Sequence, residues 1–417
     1  MKIAGVIAEY NPFHNGHQYH LEQTRALSGA DFIIAVISGD FMQRGVPALI
    51  HKYARAEMAL QNGADLVLEL PAVYATGSAE FFAMGAVSLL DRLGSVDFLC
   101  FGSECGSLKP LAKIASVLQD EPEEYRSALQ IELKKGHSFP KARSLALQGF
   151  LSGCPGSIDL TSPNNILGIE YIKALFKRGS RIAPLTLRRQ GSGYHDSVLN
   201  DSMSFSSASA IRDSIHSRAG LSAIQRHVPS SVFQQLQAAY GKSFPISSND
   251  FSLMLQYRLL LESGNGEGGY GLSHYQDVTS ALSGKIRKNL YDYENFEQFC
   301  SLLKSKEITH SRISRSLTHI LLGITSAKMQ EYMEKDYIFY ARILGFRREA
   351  APLLGILKAN ASIPLVSKLA DAPSFLDEAG LSMLEDDIRC AHIYDSAACH
   401  KFQSPFINEY SRQLVIL

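Results

Sequence analysis

The feature that most restricts this fold lies in residues 2–20. A short apolar β-type run, KIAGVIA, breaks at the turn EYNP and passes at once into a helical pattern from Asn15 to Leu27. Further apolar runs follow at 31–38 (DFIIAVIS), 65–70 (DLVLEL), 96–101 (VDFLCF) and 181–187 (RIAPLTL). Between them lie helical patterns at 50–62 and 77–93, three stretches between 107 and 150, and one at 164–178. Strands that are apolar throughout and alternate with helices belong to a parallel sheet covered on both faces. The expected fold class is therefore α/β, with helices on both faces of that sheet. Ligands of such sheets bind beyond the carboxyl ends of the strands, which singles out the segments after Ala8, Ser38, Leu70, Phe101 and Leu187.

A chain of 417 residues is too long for one ordinary core. The pattern changes near residue 225, so we expect one domain over 1–225 and a mainly helical one over 226–417. Helical patterns fall at 229–240, 248–262, 285–304, 309–323 and 347–358, with one short strand, IPLV, at 363–366. Basic and acidic residues number 41 each, and the balance holds on both sides of residue 220. Neither half can hold nucleic acid by bulk charge, although a local basic groove remains open. The six cysteines, Cys100, Cys105, Cys154, Cys300, Cys390 and Cys399, form no CxxC pair and are expected to be reduced thiols. No apolar run reaches membrane-spanning length and no secretory leader is evident. The expectation is a cytoplasmic protein with no membrane partner.

The chemistry concentrates in EYNPFHNGHQYH at 9–20. Pro12 and Gly16 punctuate a sharp strand-to-helix turn. Unpaired N–H groups and the positive end of the dipole are expected at the helix start, where an anion is stabilised. His14 and His17, three residues apart, share one face of the first turn. Two imidazoles there can donate to phosphate oxygens whose charge grows as a nucleophile arrives in line, a reaction in which placed donors supply most of the catalysis. The competing reading is a pair of surface histidines. His20, a turn further on, reads as a packing or solvated residue.

HNGH at 14–17 resembles the HxGH motif of the Rossmann-like nucleotidyltransferase superfamily. SSASAIR at 206–212 is similar to that superfamily's ISSTxIR signature, with Ser206 and Ala208 departing from it and Ser207, Ser209 and Arg212 retained. Small hydroxyls at a helix start plus one Arg make a triphosphate clamp, while a Ser-rich helix cap is the plainer alternative. AEYNPFHNGHQYHL (8–21), SGDFMQRGVPA (38–48), ELPAVYATGSAEFFAMGAV (69–87), FGSE (101–104), SPNNILGIEY (162–171), RRQGSGYHD (188–196) and FYARILGF (339–346) narrow the resemblance to the bacterial tRNA(Met) cytidine acetate ligases.

That resemblance implies a two-step reaction. Acetate attacks the α-phosphate of ATP, giving acetyl-adenylate and pyrophosphate. The wobble cytidine of elongator tRNA(Met) then takes the acetyl group, giving N4-acetylcytidine and AMP. Mg2+ is expected to accompany the ATP. In the family ATP lies along the first turn, so Ile7, Ala8, Glu9, Tyr10, Asn11, Pro12, Phe13, His14, Asn15, Gly16, His17, Gln18, Tyr19 and His20 carry over as ATP-binding positions. Gly102 allows adenosine near the backbone or is an ordinary turn glycine. Asn164 and Asn165 precede a helix as ribose or adenine ligands or as N-caps, and Asn165 is the candidate ligand. Arg188 and Arg189, at a strand's carboxyl end, can grip pyrophosphate or form a solvated pair. His14, His17 and Arg189 are the candidate catalytic residues.

Asp40, Gln43 and Arg44 are candidates to border the acetate pocket or the tRNA entrance, and Lys52 and Arg55 are either phosphate partners or a charged helix face. An RNA surface could draw on Tyr257, Arg258, Tyr291, Tyr293, Arg342, Phe346, Arg347 and Arg348. Two other readings stay open: a small-metabolite nucleotidyltransferase or acid–amine ligase, and a non-catalytic RNA-binding protein. The oligomeric state is not legible.

Overall fold

The computed structural model describes residues 1–137, 139–151, 158–189, 205–217, 220–264, 271–305 and 308–417. Residues 190–196 of the RRQGSGYHD segment and Cys154 lie outside these described residues.

Five parallel strands form one side of a single sheet: β1 (Ile3–Ala8), β2 (Phe32–Ser38), β3 (Leu66–Leu70), β4 (Phe98–Ser103) and β5 (Ala183–Arg188). The sheet runs β5-β4-β1-β2-β3-β6-β7. Strand β6 (Ala341–Phe346) joins antiparallel to β3, and β7 (Leu365–Val366) and β8 (Val415–Ile416) lie parallel to β6. The chain therefore returns, some 270 residues after β3, to pair with the edge of that strand. The sequence reading assigned no element to 339–346, because a six-residue apolar run does not reveal which distant edge it pairs with.

The helices before β5 are α1 (Asn15–Ser28), α2 (Lys52–Gln61), α3 (Ala72–Ala75), α4 (Ala79–Arg92), α5 (Leu108–Asp120), α6 (Glu123–Lys134), α7 (Phe139–Gln148) and α8 (Pro163–Arg178). Those after it are α9 (Ala208–His216), α10 (Ser230–Ala239), α11 (Ser252–Gly264), α12 (Ser280–Lys288), α13 (Phe296–Leu303), α14 (His310–Leu322), α15 (Ser326–Glu334), α16 (Ala351–Asn360) and α17 (Glu378–Phe402). The single helix expected over 285–304 is two, α12 and α13, with Asn295 capping the second. Among the described residues no helix is long and apolar enough to cross a membrane.

Successive strand residues feed two cores, which is why the strands read as unbroken apolar runs. Ile34, Val36, Leu66 and Leu68 face a core with α4, α5, α8, α14 and α17; Ile33, Ala35, Ile37 and Val67 face the other, with α1, α2, α9 and α10. Order reverses at β1: β2 and β3 continue to one side of it, β4 and β5 to the other. The crevice between the carboxyl ends of β1 and β4 is thus the topological switch point, where ligands of open α/β sheets bind.

Candidate active site

A cavity opens at that switch point, and three of its walls come from strand ends: Ile7 to Tyr10 at and beyond the end of β1, Phe101 and Gly102 on β4, and Leu187 to Arg189 at and just beyond the end of β5. The first turn of α1 supplies His14, Gly16, His17, Tyr19 and His20, and the start of α9 supplies Ser206, Ser207 and Ala208. One wall is apolar, with Phe82 of α4, Phe101, and Leu167 and Tyr171 of α8. An apolar wall facing a polar one, lined by histidines and arginines, is the usual build of a small-molecule site.

The start of α1 is capped by a histidine. His14 sits in extended backbone, and its Nδ1 accepts from the Gly16 N–H at 3.1 Å. The His14 N–H in turn donates to His17 Nδ1 at 3.2 Å, closing a reciprocal box of the kind usually made by Ser and Glu. Gly16 is required here, because a Cβ would lie 2.9 Å from His14 Cε1. The unpaired amides expected at this helix start are not free. Gly16 N–H is bound to His14, and Asn15 N–H donates to the His227 carbonyl at 3.1 Å. The imidazoles, not the α1 amides, are the donors that this turn offers.

Both rings accept at Nδ1, so in the neutral form each carries its proton on Nε2. The rings stack with centroids 3.7 Å apart. Burial, then the Arg189 and Arg212 charges, push the His14 pKa down to about 3, and burial with the His14 neighbour holds His17 well below its ordinary value. His20 is lowered to about 4 by burial and Arg189, and its buried Nε2 has no partner. At neutral pH these three are uncharged donors. His20, read from its spacing as packing or solvated, lines the cavity.

Several candidate ligand positions make bonds within the fold. Asn11 Oδ1 accepts from the Leu49 N–H at 2.7 Å, and Asn15 Nδ2 donates to the Arg226 carbonyl at 2.8 Å. Pro12, Phe13 and Gln18 do not line the cavity either, and Phe13 is fully buried against Tyr10 and His17. Asn165 is buried, with its side chain bonded inside the fold. Its Oδ1 accepts from the Cys105 N–H and its Nδ2 donates to the Asp159 carbonyl, while the neighbouring Asn164 lines the cavity. Glu104 takes the N–H groups of both asparagines and so caps α8. Arg212 and Ser209 lie outside the cavity lining: the guanidinium bonds the Asn11 carbonyl at 2.8 Å and Ser209 Oγ at 3.1 Å, bracing the turn from behind. Ser207 reaches the cavity and also caps α9, its Oγ accepting from the Ala210 N–H at 3.0 Å.

Arg188 and Arg189 both line the cavity, and Gly102 lets the Arg189 stem lie against β4, where a Cβ would stand 3.2 Å from Arg189 Cγ. Gln43 and Arg44 line it as well. Lys52 and Arg55 are neither phosphate partners nor a charged helix face, because both are fully buried. Arg55 donates to the carbonyls of Glu9, Ser38, Gly39 and Ile50, tying the ends of β1 and β2 together. Lys52 pairs with Glu69 and Glu409, each at 2.7 Å. Arg342 pairs with the same two carboxylates, and the Tyr293 hydroxyl donates to the Ser252 carbonyl in a buried setting, so neither belongs to an RNA surface. The apolar wall was missed by residue-level reasoning; its signal lay in the blocks at 69–87 and 162–171.

The sequence profile described as HIGH Nucleotidyl Transferase matches residues 1–406. A tRNA(Met) cytidine acetate ligase of Thermoanaerobacter sp. (strain X514) is 42% identical over 398 residues, 95% of this chain and 96% of that one. This chain belongs to the tRNA(Met) cytidine acetate ligase family of HIGH nucleotidyl transferases. The ligase of Clostridium acetobutylicum is 39% identical over the full length of both chains. Crystal structures of Thermotoga maritima TmcAL cover 100% of both chains, the apo form at 32% identity and a TM-score of 0.91. The form bound with alpha-thio ATP superposes at 31% identity and 0.88. Family membership accounts for both the HNGH turn and the return of β6 to the sheet, since the match spans both.

Proposed function

We propose that the cavity at the β1–β4 switch point binds ATP and activates acetate by attack of its carboxylate oxygen on the α-phosphate. The Pα–O bond to pyrophosphate breaks as the acetyl-adenylate bond forms. The N4 amine of the wobble cytidine of elongator tRNA(Met) then attacks the acetyl carbon, releasing AMP and a proton. The observation that carries this reading is the pair of neutral imidazoles whose Nδ1 atoms are occupied by main-chain N–H groups. Each ring is left with one fixed donor, and a fixed donor aimed at growing negative charge needs no reorganisation during the reaction. Arg189 and Arg188 supply the cationic charge for the departing pyrophosphate. The segment Ile7–Tyr10, with Gly102 and Asn164, holds the nucleotide; Ser207 sits where the positive end of α9 meets its phosphates.

Mg2+ arrives on the triphosphate, which supplies most of its ligands. The chain's one grouping of three metal-ligand side chains among the described residues, His51, Asp395 and Glu409, lies away from this cavity. Residues 1–225 carry the ATP chemistry and the mainly helical part after 226 receives the anticodon. There Tyr291 is 92% exposed beside exposed Arg287 and Lys288, and Tyr257 is 64% exposed, so aromatic and cationic groups are available to an unstacked base. The reaction belongs in the cytoplasm, where its tRNA is found.

The test is mass analysis of tRNA(Met) after incubation with ATP, Mg2+ and isotopically labelled acetate. The reading requires labelled N4-acetylcytidine at the wobble position and stoichiometric AMP. Unmodified tRNA, with ATP consumed by another acid or amine, would refute it.

A further inference from the structure

The segment between β2 and α2 touches two distant parts of the chain at once. On one side it holds the catalytic turn. Gln43 N–H donates to Glu9 Oε1 at 2.9 Å, Leu49 N–H donates to Asn11 Oδ1 at 2.7 Å, and Gln43 and Arg44 line the cavity. On the other side it is clamped to α14. The Gly45 carbonyl accepts from Ser314 Oγ at 2.6 Å and from Thr318 Oγ1 at 2.8 Å, two buried hydroxyls one helical turn apart. Gly45 has φ +70°, and a Cβ on it would fall 2.3 Å from the Arg315 nitrogen. The loop therefore meets α14 backbone to backbone.

One donor would satisfy a buried carbonyl, and two fill both of its lone pairs and fix its direction. Inside the loop, Met42 N–H donates to the Val46 carbonyl and Gly45 N–H to the Met42 carbonyl, so a hold on Gly45 is passed to Gln43 through a closed turn. The Tyr394 hydroxyl of α17 anchors the far end, donating to the Ala48 carbonyl at 2.9 Å. We propose that Ser314 and Thr318 of α14 are positioning residues for adenylation, acting through the Gly45 carbonyl to hold Gln43 and Arg44 against the cavity and Glu9 in place. The second half of the chain thereby sets the geometry of the site built by the first. This rests on the reading that the cavity adenylates acetate.

The experiment is acetate-dependent exchange of labelled pyrophosphate into ATP, with thermal midpoints measured alongside. Ser314→Ala/Thr318→Val is expected to lower the exchange kcat on the order of tenfold, because a displacement near one ångström at a reacting centre costs that or more. Thr318→Val alone, nearly isosteric and with one donor left, is expected to lower it about fivefold. Thr318→Ser keeps the hydroxyl and restores the rate. Ser316→Ala is the control. Its buried hydroxyl lies on the same helix but bonds the Asp277 and Arg312 carbonyls, not the loop. It should lower the thermal midpoint by a similar amount and leave exchange unchanged. Equal exchange by Thr318→Val and Ser316→Ala at matched stability overturns the proposal. Absence of exchange in the unaltered protein would instead strike at the adenylation reading itself.

Discussion

His14 and His17 owe their role to what their other nitrogens are doing. Each Nδ1 is held by a main-chain N–H, so a ring cannot turn without breaking the start of α1. His14→Ala or His17→Ala is expected to lower adenylate formation by about 10²–10³-fold, the cost of one fixed transition-state donor, with tRNA affinity unchanged in a filter-binding assay. Burial also sets a pH signature. The folded His14 and His20 values, about 3 and about 4, lie below the ordinary 6.5, so between those limits the unfolded chain binds more protons. The stability they confer is complete above pH 6.5 and is lost as pH falls below it. Each group adds up to about 1.4 kcal/mol per pH unit to the slope. Denaturant melts of His20→Gln should show a shallower decline from pH 6.5 to 4.5 than the unaltered chain; identical slopes would refute the assignment. The sequence made the HNGH spacing legible, whereas the different settings of Asn164 and Asn165 depend on partners some 60 residues away in Glu104 and Cys105.

At the scale of elements, the strand–turn–helix unit after β1 was readable because its signals are local: an apolar run, Pro12, a small residue at 16 and a helical period. Gly16→Ala tests how tightly it is built. The added methyl meets the His14 ring at 2.9 Å, so exchange activity should fall about 10–100-fold while far-ultraviolet circular dichroism is unchanged. Retained activity would show that the ring can shift without cost. Strand β6 escaped the reading because its partner, β3, lies some 270 residues upstream, and no local pattern specifies that pairing. Helix α17 is a different case. Asp377 caps it by accepting from the Gly380 N–H, and Leu384, Ile388 and Ala391 recur at helical spacing, so a signal was present and was overlooked. Asp377→Ala should cost about 1 kcal/mol in chemical denaturation, the usual worth of an N-cap.

Across the whole molecule, the two halves share one sheet and one buried charge cluster. Lys52 and Arg342 hold Glu69 and Glu409 between them, joining α2 and β3 to β6 and the segment near the carboxyl end. Composition could not reveal this, because Lys52 reads as part of a charged helix face and Arg342 as part of an RNA surface until their carboxylate partners are placed. Arg342→Met should cost about 3–5 kcal/mol, since it leaves carboxylates buried with one cation fewer. A chain ending at residue 225 lacks β6 and bares the β3 edge, so it should be recovered aggregated; a soluble, exchange-active truncation would contradict the shared architecture. The most direct test of the central claim follows one oxygen atom. With acetate labelled by heavy oxygen at both carboxylate positions, attack on the α-phosphate followed by transfer to cytidine must leave one labelled oxygen in the AMP. Unlabelled AMP beside acetylated tRNA would contradict attack at the α-phosphate and the function assigned to the two histidines.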